Sequence, residues 1–283
     1  MLIVKNLSLA FGGIKALNKV NFEVEKGKIT ALIGPNGAGK TTVFNCLTGF
    51  YRADQGSLLF NSKGSPVDLS ELVGKKISFK LLLDLPHLFR RLFYKMFGGT
   101  HLVTRSGLAR TFQNIRLFRD MTVLENLLVA QHTKYRSGII GAFLGLPRFK
   151  HENESILSNA KFWLEQLDLL DDANKLAGSL SYGQQRKLEI ARAMCCSPAL
   201  LCLDEPAAGL NPQETIELGI LIKKLVADFQ ISVLIIEHDM SLVMNISDAV
   251  VVLNYGEVIA KGSPAEIKAD TKVLAAYLGT DAV

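Results

Sequence analysis

The sequence has no uninterrupted run of eighteen apolar residues, which excludes a transmembrane helix of ordinary length. Its N-terminus, Met1–Lys5, has the pattern of a strand and lacks the order of basic, apolar and small residues found in a secretory signal. We therefore expect the protein to remain in the cytoplasm. With 283 residues, of which 48% are hydrophobic and 21% charged, the chain has enough apolar surface for one large domain, with or without a small attached lobe.

Cysteine is scarce, and the spacing of the four residues excludes two common kinds of site. Cys46, Cys195, Cys196 and Cys202 contain no C-x-x-C pair of the sort that binds zinc or forms a redox centre. We expect these thiols to be buried and to act as small hydrophobic side chains.

The positive charge is confined to one segment rather than spread over a surface. The net charge of +5 is accounted for between Asn61 and Arg105, where there are eight basic residues and three acidic ones. A surface that binds nucleic acid needs a broader distribution of basic residues, so no nucleic-acid partner is expected.

Alternating strand and helix patterns predict a parallel sheet in the body of the chain. Ile29–Ile33 is a β-branched run, typical of a strand buried on both faces, and a glycine-rich stretch and a helix at Lys40–Gly49 follow it. Ala199–Leu203 and Ser232–Ile236 repeat the strand pattern around a helix at Gln213–Phe229, which forms a βαβ unit. The other predicted elements are strands at Leu2–Val4, Val20–Val24, Val250–Leu253 and Glu257–Ala260, and helices at Val123–Gln131, Glu152–Leu170 and Pro264–Lys268.

The glycine-rich stretch after the first buried strand carries the full pattern G-x-x-x-x-G-K-[ST]. Its residues are Gly34, Pro35, Asn36, Gly37, Ala38, Gly39, Lys40 and Thr41. In such a loop the backbone N–H groups surround phosphate oxygens, aided by the partial positive charge of the helix N-terminus. The lysine reaches the β- and γ-phosphates and the threonine hydroxyl binds Mg²⁺. The strand–loop–helix context therefore predicts a nucleoside triphosphate site.

Two acidic residues follow the apolar run Leu200–Leu203. Asp204 at the end of a strand is placed to hold Mg²⁺, and Glu205 is placed to orient or deprotonate a water. Two acids after a strand more often belong to an ordinary solvated loop. The phosphate-binding loop upstream is what favours the catalytic interpretation.

Five further motifs follow one another in a fixed order. Leu180–Gln185 reads Leu-Ser-Tyr-Gly-Gln-Gln and resembles the signature sequence of ATP-binding cassette proteins. The other marks of that family are Phe11 ahead of the P-loop, Gln113 after Arg-Thr-Phe, Ala208–Asn211 after Glu205, and His238 after the last buried strand. The resemblance covers the whole chain except Asn61–Arg105.

The resemblance implies a role for each matching residue. ATP would lie on Phe11 and within the loop from Gly34 to Thr42. The implied Mg²⁺ ligands are Thr41, Gln113 and Asp204, and Gln113 would also sense a membrane partner. The implied catalytic residues are Glu205, which polarises the attacking water, and His238, which contacts the γ-phosphate.

The resemblance also implies that the working unit is a head-to-tail dimer of cassettes. Ser181, Gly183 and Gln184 would face the ATP held by a second cassette, so that two nucleotides are enclosed between two chains. A monomer would hydrolyse ATP slowly, because the charge that develops on the γ-phosphate would lack the opposing serine.

Two departures from the general family pattern indicate a narrower group. Tyr182 stands where most cassettes have glycine, and Asn211 stands where aspartate is usual. Both occur in the ATP-binding subunits of branched-chain amino acid importers, to which the sequence is similar. The most telling stretches are Gly107–Gln113, Met121–His132, Tyr182–Arg192 and Ala276–Gly279. The Arg-Thr-Phe-Gln form around Gln113 resembles the first of the two cassette subunits of such systems.

The narrower resemblance implies partners and a location. The chain would pair with a second ATP-binding cassette subunit, as a hetero- or homodimer, on transmembrane permease subunits, with a periplasmic binding protein acting indirectly. It would lie peripherally on the cytoplasmic face of the inner membrane, where Arg116–Met121 would contact the permease. The cargo would be leucine, isoleucine or valine, and it would not touch the cassette.

The basic segment Asn61–Arg105 is longer than the usual connection in the family. Within it, Lys75–Phe97 mixes leucine and phenylalanine with lysine and arginine. Three interpretations stay open: an enlarged lobe beside the antiparallel strands, a basic amphipathic helix on an anionic membrane surface, or a docking arm for a partner subunit.

The expected fold is α/β, a P-loop NTPase of the ATP-binding cassette type. It would combine a parallel core sheet, an antiparallel β lobe and a helical lobe over about 118–180 in one domain spanning residues 1–283.

Three other functions stay open. A urea or amide importer would use a similar cassette, and a soluble cassette ATPase of translation or DNA repair would have two cassettes or a long coiled coil. A non-hydrolytic scaffold would not need both Glu205 and His238.

Overall fold

Two β-sheets organise the part of the chain that the computed structural model describes, which is residues 1–62, 64, 66–73, 99–132 and 147–278. The strands of the first sheet are β1 (Leu2–Phe11), β2 (Ile14–Val24), β4 (Gln55–Phe60) and β5 (Val67–Asp68). They pair antiparallel in the order β2-β1-β4-β5.

The second sheet has six strands and carries the site. Its strands are β3 (Ile29–Ile33), β6 (Leu108–Arg110), β7 (Leu200–Asp204), β8 (Ser232–Ile236), β9 (Ala249–Asn254) and β10 (Glu257–Gly262). They lie in the order β10-β9-β3-β8-β7-β6, and all neighbours are parallel except β10 and β9. In a parallel sheet the carboxyl ends of the strands meet at one edge, so the loops after β3, β7 and β8 converge there.

The six-stranded sheet separates two hydrophobic clusters. Along β3, Ile29, Ala31 and Ile33 belong to one cluster, and Leu32 belongs to the other. Every residue of β3, β7 and β8 is buried. These strands are mostly apolar because both faces of the sheet are covered, as their sequence predicts.

Ten α-helices lie among the described residues. They are α1 (Lys40–Leu47), α2 (Leu69–Leu72), α3 (Thr100–Arg105), α4 (Val123–Ala130), α5 (Pro147–Gln166), α6 (Tyr182–Met194), α7 (Pro212–Phe229), α8 (Met240–Ile246), α9 (Pro264–Ala269) and α10 (Thr271–Leu278). None of them is both long enough and apolar enough to cross a bilayer. The fold is α/β with one parallel-based and one antiparallel sheet, which confirms the predicted fold class.

Two strands and one helix differ most from their predicted bounds. Strands β1 and β2 are much longer than Leu2–Val4 and Val20–Val24. Asn6 and Lys19 have positive φ at irregularities in the pairing, which interrupt the alternation that the sequence pattern relies on. Helix α5 begins at a proline and ends at Gln166, because proline is tolerated in the first turn and Asp168 adopts a left-handed conformation.

The basic insertion is described only at its two ends. Strand β5 and helices α2 and α3 lie between Asn61 and Arg105. The stretch Lys75–Phe97, on which the lobe, membrane and docking interpretations all depend, lies outside the described residues. The three interpretations therefore stay predictions.

Candidate nucleotide site

The P-loop connects β3 to α1 and packs against β9. Gly34 has φ +148°, and a Cβ atom there would lie 2.1 Å from the backbone oxygen of Leu253, so only glycine fits. The Lys40 ammonium donates hydrogen bonds to the backbone oxygens of Gly34 at 2.6 Å and Pro35 at 3.0 Å. The lysine is thus held by the loop to which it belongs.

The acidic residues at the end of β7 influence the charge of the P-loop lysine. Lys40 is buried, and burial lowers the pKa of its ammonium. The negative charges of Glu205 and Asp204 act in the opposite direction and raise it. The loop after β7 therefore faces the P-loop across the sheet edge, as the parallel topology requires.

Asp204 is fixed by an arginine from the neighbouring strand. Its Oδ2 accepts a hydrogen bond at 2.6 Å from Arg110, and both side chains are buried. Arg110 also donates to Asn45 Oδ1 at 2.7 Å and to Thr48 Oγ1 at 3.0 Å. These three bonds of the two terminal Arg110 nitrogens tie β6, β7 and the α1 segment together.

The Glu205 side chain contacts two other candidate site residues, Gln113 and His238. Its backbone has φ +46°, an unusual value for a residue other than glycine, and its N–H donates to the Ile236 oxygen at 2.9 Å. Its carboxylate oxygen Oε2 accepts a hydrogen bond from Gln113 Nε2 at 2.8 Å and lies 3.7 Å from His238 Nδ1. The structure thus brings together Gln113, Glu205 and His238 from three separate segments.

A second glutamate, Glu237, lies next to His238 and was not among the site residues predicted from the sequence. Glu237 is fully buried, and its carboxylate accepts hydrogen bonds from the backbone N–H groups of Ala207 at 2.8 Å and His238 at 3.1 Å. Burial raises its pKa, and the backbone hydrogen bonds oppose that shift. Glu237 thereby fixes the loop after Glu205 to the loop that carries His238. The only signal in the sequence was an acid next to that histidine.

The signature segment forms the start of α6. Ser181 is the N-cap of this helix, and it exchanges hydrogen bonds with Gln184 in a capping box. A Cβ atom on Gly183 would lie 2.8 Å from Glu214 Oε1, so the helix packs closely on the start of α7. Among the described residues, Ser181 makes no hydrogen bond to the P-loop, to Glu205 or to His238.

The predicted adenine contact is an exposed aromatic side chain. Phe11 is the last residue of β1, is 46% exposed, and packs edge-on against Tyr51 with ring centroids 5.3 Å apart. An exposed, supported ring of this kind offers a face for stacking. Its role toward adenine stays a prediction.

The predicted metal ligands are not bonded to one another. Gln113 bonds Glu205, Asp204 bonds Arg110, and Thr41 is exposed at the start of α1. Within the described ranges, no group of three or more histidine, cysteine or acidic side chains could hold a metal ion. Hydroxyl, amide and carboxylate oxygens nonetheless suit Mg²⁺, which usually binds through one or two carboxylates together with substrate phosphates. The donor set therefore fits a magnesium ion that arrives with a nucleotide.

Comparison with known proteins places these residues in a family. The family model described as "ABC transporter" matches residues 17–208, and the model described as "Branched-chain amino acid ATP-binding cassette transporter" matches residues 257–283. The chain is 46% identical over 279 residues to the high-affinity branched-chain amino acid transport ATP-binding protein BraF of Pseudomonas aeruginosa. It is equally similar to LivG of Escherichia coli K12, and in both cases 99% of this chain and 98% of the relative are covered.

Solved structures agree with that similarity. A nucleotide-free ATP-binding cassette from an ABC transporter has a TM-score of 0.75 and 32% identity and is covered over 99% of both chains. The ADP conformation of MJ1267, also an ATP-binding cassette of an ABC transporter, has the same TM-score and identity, with 99% of this chain and 98% of that chain covered. The chain therefore belongs to the ABC transporter family, as one of its nucleotide-binding ATPase cassettes.

Proposed function

We propose that this chain is the ATP-hydrolysing subunit that powers import of branched-chain amino acids through an ABC transporter complex. The observation that carries the proposal is the cluster of Gln113, Glu205 and His238, at the sheet edge where the P-loop after β3 also lies. The cargo is inferred from similarity to BraF and LivG along the full chain and from the matched C-terminal model.

ATP binding falls to the P-loop and to the ring of Phe11. The backbone N–H groups of the 34–42 loop, apart from Pro35, which has none, would surround the phosphates, and Lys40 would exchange its bonds to the loop oxygens for phosphate oxygens. Phosphate oxygens are stronger acceptors than backbone carbonyls because they are charged. The exchange therefore favours the nucleotide-bound loop.

Hydrolysis would use Glu205 as the general base. Gln113 donates to Oε2 and fixes the carboxylate, which accepts a proton from a water as the water oxygen bonds to the γ-phosphorus. The bond from that phosphorus to the β-γ bridging oxygen breaks, and the products are ADP and inorganic phosphate. His238, whose side chain is 62% exposed beside Glu205, would contact the γ-phosphate oxygens.

Magnesium would be held by Thr41, Gln113 and Asp204 together with the nucleotide. When bound, the ion supplies positive charge that offsets the charge on the phosphates. Arg110 keeps the Asp204 carboxylate in one orientation, so this ligand does not need to be ordered when the nucleotide binds.

The complete site is proposed to need a second cassette subunit. Ser181, Gly183 and Gln184 lie at the N-terminus of α6, and among the described residues Ser181 makes no hydrogen bond to Gln113, Glu205 or His238 of the same chain, which supports a role toward the nucleotide of a partner. That partner is either a second copy or a related cassette. Dimeric cassettes with this fold exist, such as MJ0796 at a TM-score of 0.67 and 22% identity, which supports the fold comparison alone.

The permease is proposed to dock in the groove beside the Gln113 loop. This groove has a volume of about 710 Å³ and is lined in part by Phe112, Arg116 and Phe118. The Arg116 guanidinium lies 4.3 Å from the Phe112 ring centroid, and Phe118 is 46% exposed. A concave surface with exposed aromatic and arginine side chains is typical of a protein interface. Docking there would place the single cassette domain peripherally on the cytoplasmic face of the inner membrane.

A pull-down from native membranes tests this proposal. We expect this chain to copurify with a second cassette subunit and transmembrane permeases, and the recovered complex to take up labelled leucine when supplied with ATP. Recovery of ribosomes or DNA-bound proteins would contradict the transport function. Uptake of urea but not leucine would retain the ATPase and replace the cargo with an amide.

A further inference from the structure

Helix α6 carries an ion pair that is almost completely removed from water. Arg186 NH1 lies 2.8 Å from Glu189 Oε2, and the two side chains are only 1% and 5% exposed. Burial raises the pKa of the Glu189 carboxyl, and the Arg186 charge opposes that shift. Burying two charges costs about as much free energy as their attraction returns. Stability alone is therefore a weak reason for this pair.

Three further hydrogen bonds of the pair go to the loop that carries Gln113. Arg186 NH1 donates to the backbone oxygen of Phe112 at 2.9 Å, and NH2 donates to the backbone oxygen of Gln113 at 3.0 Å. Glu189 Oε1 accepts a hydrogen bond from the Phe112 N–H at 3.1 Å. Two consecutive residues of the loop are thus attached to one turn of α6 by three hydrogen bonds.

The same helix also contacts the loop that follows Glu205. A Cβ atom on Gly209 would lie 3.0 Å from the ring of Tyr182, so this ring rests directly on the glycine. The Arg186 guanidinium lies 5.9 Å from the centroid of the same ring. Helix α6 therefore touches the segments on both sides of the Gln113–Glu205 hydrogen bond.

We propose that Arg186 and Glu189 are positioning residues that make the Gln113–Glu205 geometry depend on the position of α6. The proposal rests on the proposed function of Glu205 and of the signature residues. Ser181 caps the same helix, so a displacement of α6 moves the side chain that faces the partner's nucleotide and the backbone of Gln113 together. The pair thereby couples two nucleotides. One is held by the partner cassette and faces α6, and the other is held by this chain and is hydrolysed with Glu205.

A double substitution separates this role from a merely structural one. Arg186→Met with Glu189→Leu replaces the ion pair by apolar side chains of similar size, which is often neutral or stabilising, whereas Arg186→Met alone leaves a buried carboxylate without its partner. The double variant loses all three bonds to the Gln113 loop, and the single variant loses the two that Arg186 donates. We expect the double variant to unfold at a higher temperature than the single variant, because it leaves no buried charge without a partner.

The decisive readout is hydrolysis by the assembled transporter that contains the double variant. We expect kcat to fall up to about tenfold with ATP affinity unchanged, because the base is misplaced while the P-loop is intact. We also expect faster hydrogen exchange at the Phe112 amide and a weaker cooperative dependence of rate on ATP concentration. Wild-type kcat in the stable double variant would overturn the proposal, as would unchanged exchange at Phe112.

Controls keep this test independent of the proposed function. Glu25 and Lys28 form an ion pair with the same spacing on the surface, and their neutral double variant should leave kcat unchanged. Glu205→Gln is assayed in parallel: if hydrolysis does not depend on Glu205, the proposed function fails, whereas the exchange at Phe112 still reports on the tether. If the apolar double variant does not fold, Arg186→Lys, which keeps the charge but lacks the paired donors, should give an intermediate kcat, and full activity would overturn the proposal.

Discussion

The two sides of the nucleotide site are built in different ways. The P-loop side comes from one uninterrupted stretch, and its lysine is held by backbone oxygens only five and six residues away. The hydrolytic side is assembled from Gln113, Glu205 and His238, whose side chains meet through contacts between segments distant in the chain. Nucleotide binding should therefore tolerate changes elsewhere in the molecule, whereas hydrolysis should be sensitive to them. Substitutions on each side test this difference.

The largest expected effect is on the hydrolytic side. Glu205→Gln should lower kcat by about 10²- to 10⁴-fold, because the general base is lost. ATP affinity should be retained, since the P-loop is unchanged. Equilibrium ATP binding and steady-state hydrolysis measure the two quantities. Glu165→Gln, an exposed acid on α5, is the control. Turnover above about a tenth of wild type would remove Glu205 from the catalytic role.

The matching change on the P-loop side is Gly34→Ala. The added methyl group would meet the Leu253 oxygen at a position where φ is +148°. The loop must shift at a cost of about 1–3 kcal/mol, so ATP affinity should fall about 10- to 100-fold. Gly13→Ala is the control, because Gly13 has φ +93° but no atom near a Cβ. Equal loss of affinity in both variants would show that the close approach to β9 is unimportant.

A smaller effect is expected from the contact that joins the segments on the hydrolytic side. Gln113→Ala removes the hydrogen bond to Glu205 and should lower kcat about tenfold, the amount expected for a bond to a charged group. Gln213→Ala removes a comparable glutamine–glutamate hydrogen bond at the exposed start of α7 and should leave kcat unchanged. Stopped-flow phosphate release would compare the two. Similar rates in both variants would contradict the account.

The smallest effect concerns stability and pH. Because burial raises the pKa of Glu237, its contribution to stability is present below the pKa of the unfolded chain and is lost as the pH rises through the higher folded value. Wild type should therefore lose stability relative to Glu237→Gln between acidic and neutral pH. Urea unfolding of the two proteins at several pH values measures the difference. A difference that is independent of pH would contradict the assignment.

The sequence predicted best what depends on local pattern. The bounds of β3 and β8 were confirmed, because β-branched runs buried on both faces leave little ambiguity. Strands β1 and β2 were underestimated, because positive-φ residues shift their register. The P-loop was predicted because its motif is contiguous in the sequence. The strand before Asp204 was predicted because it is an uninterrupted apolar run. Similarity to known cassettes confirmed the family.

The contacts of the site could not be read from the sequence. Arg110 lies 94 residues from Asp204, and Arg186 lies 73 residues from Gln113. No local pattern states which arginine meets which carboxylate or carbonyl, because those pairs form only when the sheet edge and α6 come together. Nothing in the sequence distinguished Glu237 from an exposed acid, whereas the structure shows it fully buried. The roles assigned to the site residues stay predictions until the variants are measured.

The most direct test of the central claim is uptake of labelled leucine by vesicles that contain the purified transporter with this chain. With wild-type chain, uptake should require ATP on the side of the cassettes, and one phosphate should be released with each ADP. With Glu205→Gln, ATP should still bind and uptake should stop. Leucine uptake that continues with Glu205→Gln, or Glu205-dependent hydrolysis without any leucine uptake, would contradict the account.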